Sequence, residues 1–486
     1  MKKSYLALLV CVIFILATVG ASFAAMGEGT VSAKKGVDLT LFGSNRFIPT
    51  YSTNLVDFDS DNPTGGDRLT LDEGGFYAGF YVRNELRLGF SGKGENFGFR
   101  VILEEDIHYS KSNVDRNTYV GYGNNSSDFG SEFAVERSKF WYDFCGVRFT
   151  TGWDVMFQDL KTGGLVYGDD HPFIALSGKI NDTSNWLAYM LLINDSDDIF
   201  GNNQYRDTDW YVYNLKFNFK VDGMTLSPFF TYSDMRKGIQ GTGNAHAYYA
   251  GLEGYGKIGM LMPSFEAVYV GGTINDAAEG GTDDYDISSY AFFASLKFDV
   301  SPEFQPYFGG YWVRGDDDNT DNDAEGFVGI TNIARYTPTF GMEGAIAYEH
   351  LGTLGAPLYG LVPERLGGSS ARYGGISNRG TGDNPGLIYI GAGATGKLDK
   401  ASYKVQAAYL MFENEDGIGA SDDEIGWTID ALVKYPLSPN FVTSFCTSCL
   451  IPGDGIYESD KAGEHLPGVT NDDIAWISRI ELCWKW

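Results

Sequence analysis

The sequence predicts an all-β chain: a transmembrane antiparallel β-barrel of 18 strands, with 16 as the alternative. Three observations predict it. The one long apolar run lies at the N-terminus. Beyond it, apolar and polar residues alternate with a period of two. The connections between the alternating segments are short and long by turns.

The N-terminal run has a positive start, Met1-Lys2-Lys3, and an uncharged stretch from Tyr5 to Val19. Ser22-Phe23-Ala24 then offers small residues before a cleavage point. This is the pattern of a secretory signal peptide over 1–24, leaving 25–486 to form the barrel. Cys11 follows Val10 instead of a small residue, which argues against a lipid anchor. After Ala24 no segment supplies the ~20 apolar residues of a membrane helix.

The strands follow in order. Phe80, Val82, Leu86, Leu88 and Phe90 share one face, with Tyr81, Arg83, Glu85 and Arg87 on the other; Asn84 breaks the apolar face. The unit recurs at Tyr211 to Phe219, at Tyr290 to Phe298 and at Ile425 to Tyr435. Short turns fall at 92–96, 143–146, 181–185, 221–223, 257–260, 301–304, 399–401 and 437–440. Long polar loops fall at 48–75, 110–131, 156–173, 194–208, 235–245, 273–284, 315–386, 413–423 and 452–472. Lipid leaves backbone groups no water to bond, so strands cross it only as a closed barrel. Short periplasmic turns and long extracellular loops are the arrangement of outer-membrane barrels. An even strand count puts both termini on the periplasmic side.

The last strand carries the most specific local signal. Trp486, Trp484, Leu482 and Ile480 lie on one face, opposite Lys485, Cys483, Glu481 and Arg479. An amphipathic strand ending on an aromatic residue resembles the assembly signal read by the outer-membrane insertion machinery.

Charge narrows the function. With 36 Lys+Arg against 64 Asp+Glu, the net charge is −28, which excludes a basic nucleic-acid binder. Aromatics at 15% argue against bulk disorder. None of the five His sits in a metalloprotease motif, and no nucleophile elbow or phosphate loop occurs, so an enzyme is not expected.

Glu136-Arg137-Ser138-Lys139-Phe140-Trp141-Tyr142 turns at Cys145-Gly146 into Val147-Arg148-Phe149-Thr150-Thr151-Gly152-Trp153. Here the chain resembles the trimeric general-diffusion porins, and more closely the homotrimeric porins of sulfate-reducing bacteria. The resemblance covers most of the mature chain as a pattern, but few segments as sequence. It implies a homotrimer in the outer membrane of a Gram-negative bacterium, among membrane lipid and lipopolysaccharide. It implies a water-filled channel for passive diffusion of ions and small hydrophilic solutes. It also implies that the third long loop, 156–173, folds into the lumen.

Parity puts Arg83, Arg87, Arg100, Arg137, Lys139 and Arg148 on inward faces of four consecutive strands. The third loop carries Asp159, Asp169, Asp170 and His171. Cations on a wall facing acids on a loop set a transverse field across a narrow passage. The alternative is that these residues only line the lumen, solvated and paired with nearby acids.

Long loop 315–386, expected to be extracellular, holds Asp316, Asp318, Asp321, Asp323 and Glu325. Carboxylates suit Ca²⁺ or Mg²⁺. Asn332 stands where a helix–loop–helix calcium site needs a bidentate Glu, so only a looser cation site competes with plain solvated acids. No cofactor is otherwise expected. Cys446 and Cys449 on one strand lie too far apart to bridge each other. The pairing of Cys145, Cys446, Cys449 and Cys483 stays open. A sugar- or solute-specific channel and a structural or adhesive surface barrel are the rival functions.

Overall fold

The structure is a computed structural model that describes residues 29–33, 36–54, 79–108, 134–194, 209–235, 244–275, 284–318, 321–332, 334–349, 385–415, 422–457 and 473–486. The expected signal peptide, 1–24, lies outside the described residues.

A short strand β1 (Gly29–Ala33) precedes the barrel. The first half of the wall is β2 (Val37–Thr53), β3 (Gly79–Lys93), β4 (Phe97–His108), β5 (Ala134–Phe144), β6 (Val147–Phe157), β7 (Tyr167–Asn181), β8 (Ser184–Asn194), β9 (Trp210–Val221) and β10 (Met224–Met235). The second half begins with β11 (Ala245–Gly256), β12 (Leu261–Ile274), β13 (Tyr285–Phe298) and β14 (Gln305–Val313). Two short strands inside the next connection, β15 (Asp323–Ala324) and β16 (Thr331–Asn332), are not part of the wall. The wall ends with β17 (Leu387–Leu398), β18 (Ala401–Met411), β19 (Glu424–Ser438), β20 (Phe441–Pro452) and β21 (Ala475–Lys485).

The wall therefore has 18 strands, each antiparallel to its neighbours. β21 closes the barrel on β2 in the register Ser44↔Lys485 to Thr53↔Trp476. The Trp486 carbonyl accepts from Gly43 N at 2.9 Å, so the last residue of the chain completes the seam. β2 extends beyond the end of β21, and β1 pairs with this projecting edge, Gly29↔Leu41 to Ala33↔Val37. An unpaired edge is a template for aggregation, and β1 covers it.

The alternation decides which face meets lipid. Tyr248, Tyr269, Phe292, Trp312, Ile390, Trp427, Ile429, Trp476 and Ile480 are all exposed on the outer surface. So large an apolar surface suits a hydrocarbon solvent. Ser233, Glu253, Glu266, Ser289, Gln406, Thr428 and Asp430 alternate with such residues and are buried inside. Wall strands run from 9 residues in β14 to 17 in β2, against the ~9–11 needed to cross tilted.

The eight short connections fall where the sequence places them. At Asp222-Gly223 both residues have positive φ (47° and 87°), as the tightest two-residue hairpin turn requires.

Three long connections differ from expectation. The first does not begin at 48: β2 continues to Thr53, because Ile48 to Thr53 keep the alternation and pair with both β3 and β21. The third loop is shorter than 156–173. β6 continues to Phe157 and β7 begins at Tyr167, so the loop is 158–166, and Asp169, Asp170 and His171 lie on β7. The run Gly-Asp-Asp-His-Pro is polar enough to read as a loop, but a strand at a barrel rim accommodates polar residues too. The connection 315–386 does not stand wholly outside the barrel. Its described stretches between 315 and 349, which are 315–318, 321–332 and 334–349, pack against the inner wall: Phe327, Val328, Ile330, Phe340, Met342, Ile346 and Tyr348 are all buried. Phe340 fits among Tyr389, Tyr307 and Tyr311, at ring-centroid distances of 5.1, 5.5 and 6.4 Å. This segment joins the third loop: β16 pairs in parallel with the start of β7, Thr331↔Tyr167, and Ile330 N donates to the Val166 carbonyl at 2.8 Å. β15 pairs in parallel with β13.

Candidate pore lining

The inserted segments cover the inner faces of the later strands. The inner faces of β2–β6 and β21 carry charge instead. Arg46 on β2 is the centre, with Glu481 on β21 at 2.9 Å, Glu85 on β3 at 3.0 Å and Glu343 of the inserted segment at 2.8 Å. Arg83 lies 3.2 Å from Glu85. Arg87 lies 3.2 Å from both Glu85 and Glu136, and also bonds Glu104. Arg137 stands 3.5 Å from Glu136 and 3.8 Å from Asp154, and Lys139 bonds Asp154 at 2.5 Å. Arg479 on β21 lies 3.6 Å from Glu343. Six cations thus face six carboxylates in one connected network.

Local sequence explains the spacing. On β3 the residues 83, 85 and 87 share the inward face. A register shift between Ile102 and Leu103 on the β4–β5 ladder leaves Val135 exposed outside and brings Glu136 beside Arg87. Burial alone would raise the Glu343 carboxyl, but Arg479 and Arg46 bring it down to about 2.

The expected constriction residues divide. Arg83, Arg87, Arg137 and Lys139 are in the network. Arg100 is exposed near the short-turn end of β4, its guanidinium 4.8 Å over the Phe42 ring. Arg148 is half-exposed next to the turn and bonds Asp143 at 2.7 Å. Both are inward by parity but sit at the mouth, because parity fixes the face and not the depth. Asp159 is fully buried and accepts from the backbone of Val166 and Tyr167, closing its own loop. Asp169 accepts from Asp170 N at 2.9 Å. Asp170 shares the outward parity of Ile174 and takes the Trp153 indole N–H at 3.4 Å, so it does not face the lumen. The field anticipated between the Arg wall and loop acids is instead a field among wall residues and Glu343.

Arg46, Glu343, Arg479 and Glu481 were not singled out from sequence. Arg46 falls on the inward parity of its strand, as Arg479 and Glu481 do on theirs, but only barrel closure makes β2 and β21 neighbours.

The acidic stretch is turned onto its own backbone. Asp316 accepts from Glu325 N at 3.1 Å and Asp318 N at 3.3 Å, Asp321 accepts from Asp323 N at 2.8 Å, and Glu325 bonds Arg314 at 2.5 Å. Burial pushes the Asp316 carboxyl up, which the two N–H donors offset in part. Among the described residues no three His, Cys, Asp or Glu side chains converge as metal ligands. Cys145, Cys446, Cys449 and Cys483 are unbridged thiols.

Trp484 and Ile480 are exposed on the outer face, and Trp484 stacks on Phe441 at 4.2 Å. The aromatic end of the chain thus faces lipid beside the seam.

A closed 18-stranded antiparallel barrel with an apolar exterior, a polar interior and inward-folded connections has the fold of the outer-membrane porins. Solved structures agree. The outer-membrane protein OpdK of Pseudomonas aeruginosa superimposes with a TM-score of 0.51 at 11% identity, over 92% of this chain and 99% of that one. A BenF-like porin of Pseudomonas fluorescens Pf-5 gives 0.51 at 9% identity, over 93% and 98%. OccK9 (OpdG) of Pseudomonas aeruginosa gives 0.51 at 9%, over 92% and 98%. No protein-family model and no curated protein matches the sequence.

Proposed function

We propose that this chain is an outer-membrane porin of a Gram-negative bacterium, passing ions and small hydrophilic solutes by passive diffusion. The observation that carries the reading is the asymmetry of the lumen. Inserted segments pack against the later strands, while the strands β2–β6 and β21 keep a charged inner face. An apolar plug alone would have no use for six cations and six carboxylates along one wall, each costly to desolvate. The passage is lined by alternating charge, which tunes ion selectivity and orders water.

The network is nearly balanced in charge, so its own ion preference is weak. The acidic excess of the chain adds a mild cation preference at low salt. A homotrimer in lipid and lipopolysaccharide, assembled through the C-terminal strand, is part of the proposal and comes from the family resemblance. A solute-specific channel is the second reading. It is favoured by the extent to which the two inward segments narrow the barrel.

Single-channel recording of the purified protein in a planar bilayer tests the proposal. Ohmic steps in groups of three with a weakly cationic reversal potential are expected. Liposome swelling then separates the readings: a size cut-off without preference supports diffusion, and saturable uptake supports specificity. Properly folded protein with no conductance sinks both.

A further inference from the structure

The inward loop 158–166 rests on a buried cluster whose hydrogen bonds do not balance if every acid is ionised. Asp159 comes from the loop, Glu266 from β12, Glu253 from β11 and Lys216 from β9, and all four are buried. Lys216 Nζ donates to Glu253 and to the Gln158 carbonyl. Three acids therefore share one ammonium.

The Asp159 and Glu266 carboxyls lie within hydrogen-bonding reach of each other. Two carboxylates have only acceptor atoms, so such a bond exists only when one of them holds a proton. One further observation fits that proton. Glu266 Oε1 is buried and receives no N–H or O–H donor. The single hydrogen of Thr162 Oγ1 is divided among three acceptors, Glu266 Oε2 at 2.8 Å, the Asp159 carbonyl at 3.0 Å and Glu253 Oε2 at 3.1 Å, so the carboxylates gain little from it.

The remaining neighbours are neutral. Gly163 N donates to Glu266 at 3.0 Å, the Tyr311 hydroxyl of β14 donates to the Gly163 carbonyl at 3.2 Å, and the Tyr189 hydroxyl of β8 donates to Gln158 at 3.1 Å. Asn214 of β9 and Thr231 of β10 also donate to Gln158, and Phe293 of β13 lies against Gly163. Lys161 of the same loop is exposed, away from the cluster. Burial holds the Asp159 carboxyl above the usual carboxylate range, although Glu266 and the Val166 N–H favour the charged form.

We propose that one proton shared by Asp159 and Glu266 is the catch that seats the inward loop, so that losing it in alkaline solution releases the loop and widens the channel. Loss leaves two adjacent buried carboxylates, and their repulsion acts between the loop and the wall. The widening rests on the channel reading above; the shared proton does not.

The test is single-channel conductance from about pH 6 to about pH 10 at fixed salt, expected to rise roughly twofold on the alkaline side in the wild type. Glu266→Gln and Asp159→Asn are near-isosteric, and each puts a permanent N–H donor in the pair. Both are expected to fold and to lose the alkaline rise. A flat wild-type profile, or an undiminished rise in both variants, overturns the gate. A second readout needs no channel: the infrared carbonyl stretch of a protonated carboxyl, present in wild type and lost in Glu266→Gln. Its absence from folded wild type overturns the shared proton. Its presence in a protein that conducts at no pH sinks the channel reading and the gate but supports the proton.

Discussion

Glu343 of the inserted segment and Arg46 of the barrel wall meet at 2.8 Å, at the point where the segment reaches the β2–β21 seam. Both are largely shielded from solvent, and Arg479 holds the same carboxylate from the other strand of the seam. This contact ties the inserted segment to the charged wall. The Glu343 carbonyl also covers Cys446, whose thiol lies 3.5 Å from it.

Glu343→Gln is therefore expected to loosen the arm without unfolding the barrel. Breaking one side of a shielded ion pair costs about 2 kcal/mol here, below the full cost for a deeply buried pair. That corresponds to roughly thirty-fold faster exposure of the site beneath. Maleimide labelling of Cys446, located by mass spectrometry, measures it. Exposed Cys145 should label at an unchanged rate in wild type and variant. Unchanged Cys446 labelling would show that the apolar contacts alone seat the arm.

The same contact predicts acid sensitivity. The Glu343 carboxyl is held at about 2, against about 4.3 for an unstructured Glu. A depressed carboxyl stabilises fully above the unfolded value and loses that contribution as pH falls toward the folded one. The arm should thus be seated at pH 5 and loosen progressively between about 4 and about 2. Protease cleavage within 340–349 across this window checks it, with Glu343→Gln expected to lack the transition.

The wall cations should act by depth. Arg87 bonds three carboxylates within the network, whereas Arg148 is half-exposed beside a turn. Arg87→Ala leaves Glu85, Glu104 and Glu136 without that counter-charge and should raise cation-over-anion permeability about three- to fivefold, as ~1 kcal/mol at intermediate dielectric implies. Arg148→Ala should leave the reversal potential where it is. Equal shifts from both would mean that the mouth, not the network, sets selectivity.

Much of this fold was legible because a barrel wall reports its period directly. Alternation at Phe80 to Phe90 and at Ile425 to Tyr435, with the eight short turns, fixes the strands locally. Contacts that depend on closure were not legible. Arg46 and Glu481 are 435 positions apart and meet only because the first and last wall strands pair. Arg100 and Arg148 show the converse limit: a period of two assigns a face but carries no depth. Asp169 and Asp170 read as loop because rim strands and loops share polar composition.

Shortening the chain separates assembly from stability. Trp486 bonds Gly43 through both its N–H and its carbonyl, and Trp484 stacks on Phe441 beside the seam. Removing Trp486 and replacing Trp484 by Ala is expected to lower the yield of assembled barrel in cells several-fold. Refolding into detergent should suffer less, since the β20–β21 and β2–β21 ladders remain. Equal loss in both settings would assign the aromatic end a purely structural role.

The last prediction concerns the plug's aromatic core. Phe340 is fully buried among Tyr389, Tyr307, Tyr311 and Phe293, on the inner face of strands whose outer face meets lipid. Phe340→Ala removes a large buried side chain, a change that costs about 3–5 kcal/mol in a packed core. The loss falls on the inserted segment, because the wall ladders of β13, β14 and β17 do not involve residue 340. The segment keeps its other anchors, buried Phe327, Ile330, Ile346 and Tyr348 and the Glu343 contact, so the loosening should centre on residue 340. The variant should therefore keep the barrel's β signature and thermal transition while its conductance rises and larger sugars enter in liposome swelling. If the barrel melts with the plug instead, segment and wall form one cooperative unit, and inner packing contributes to the stability of the wall itself.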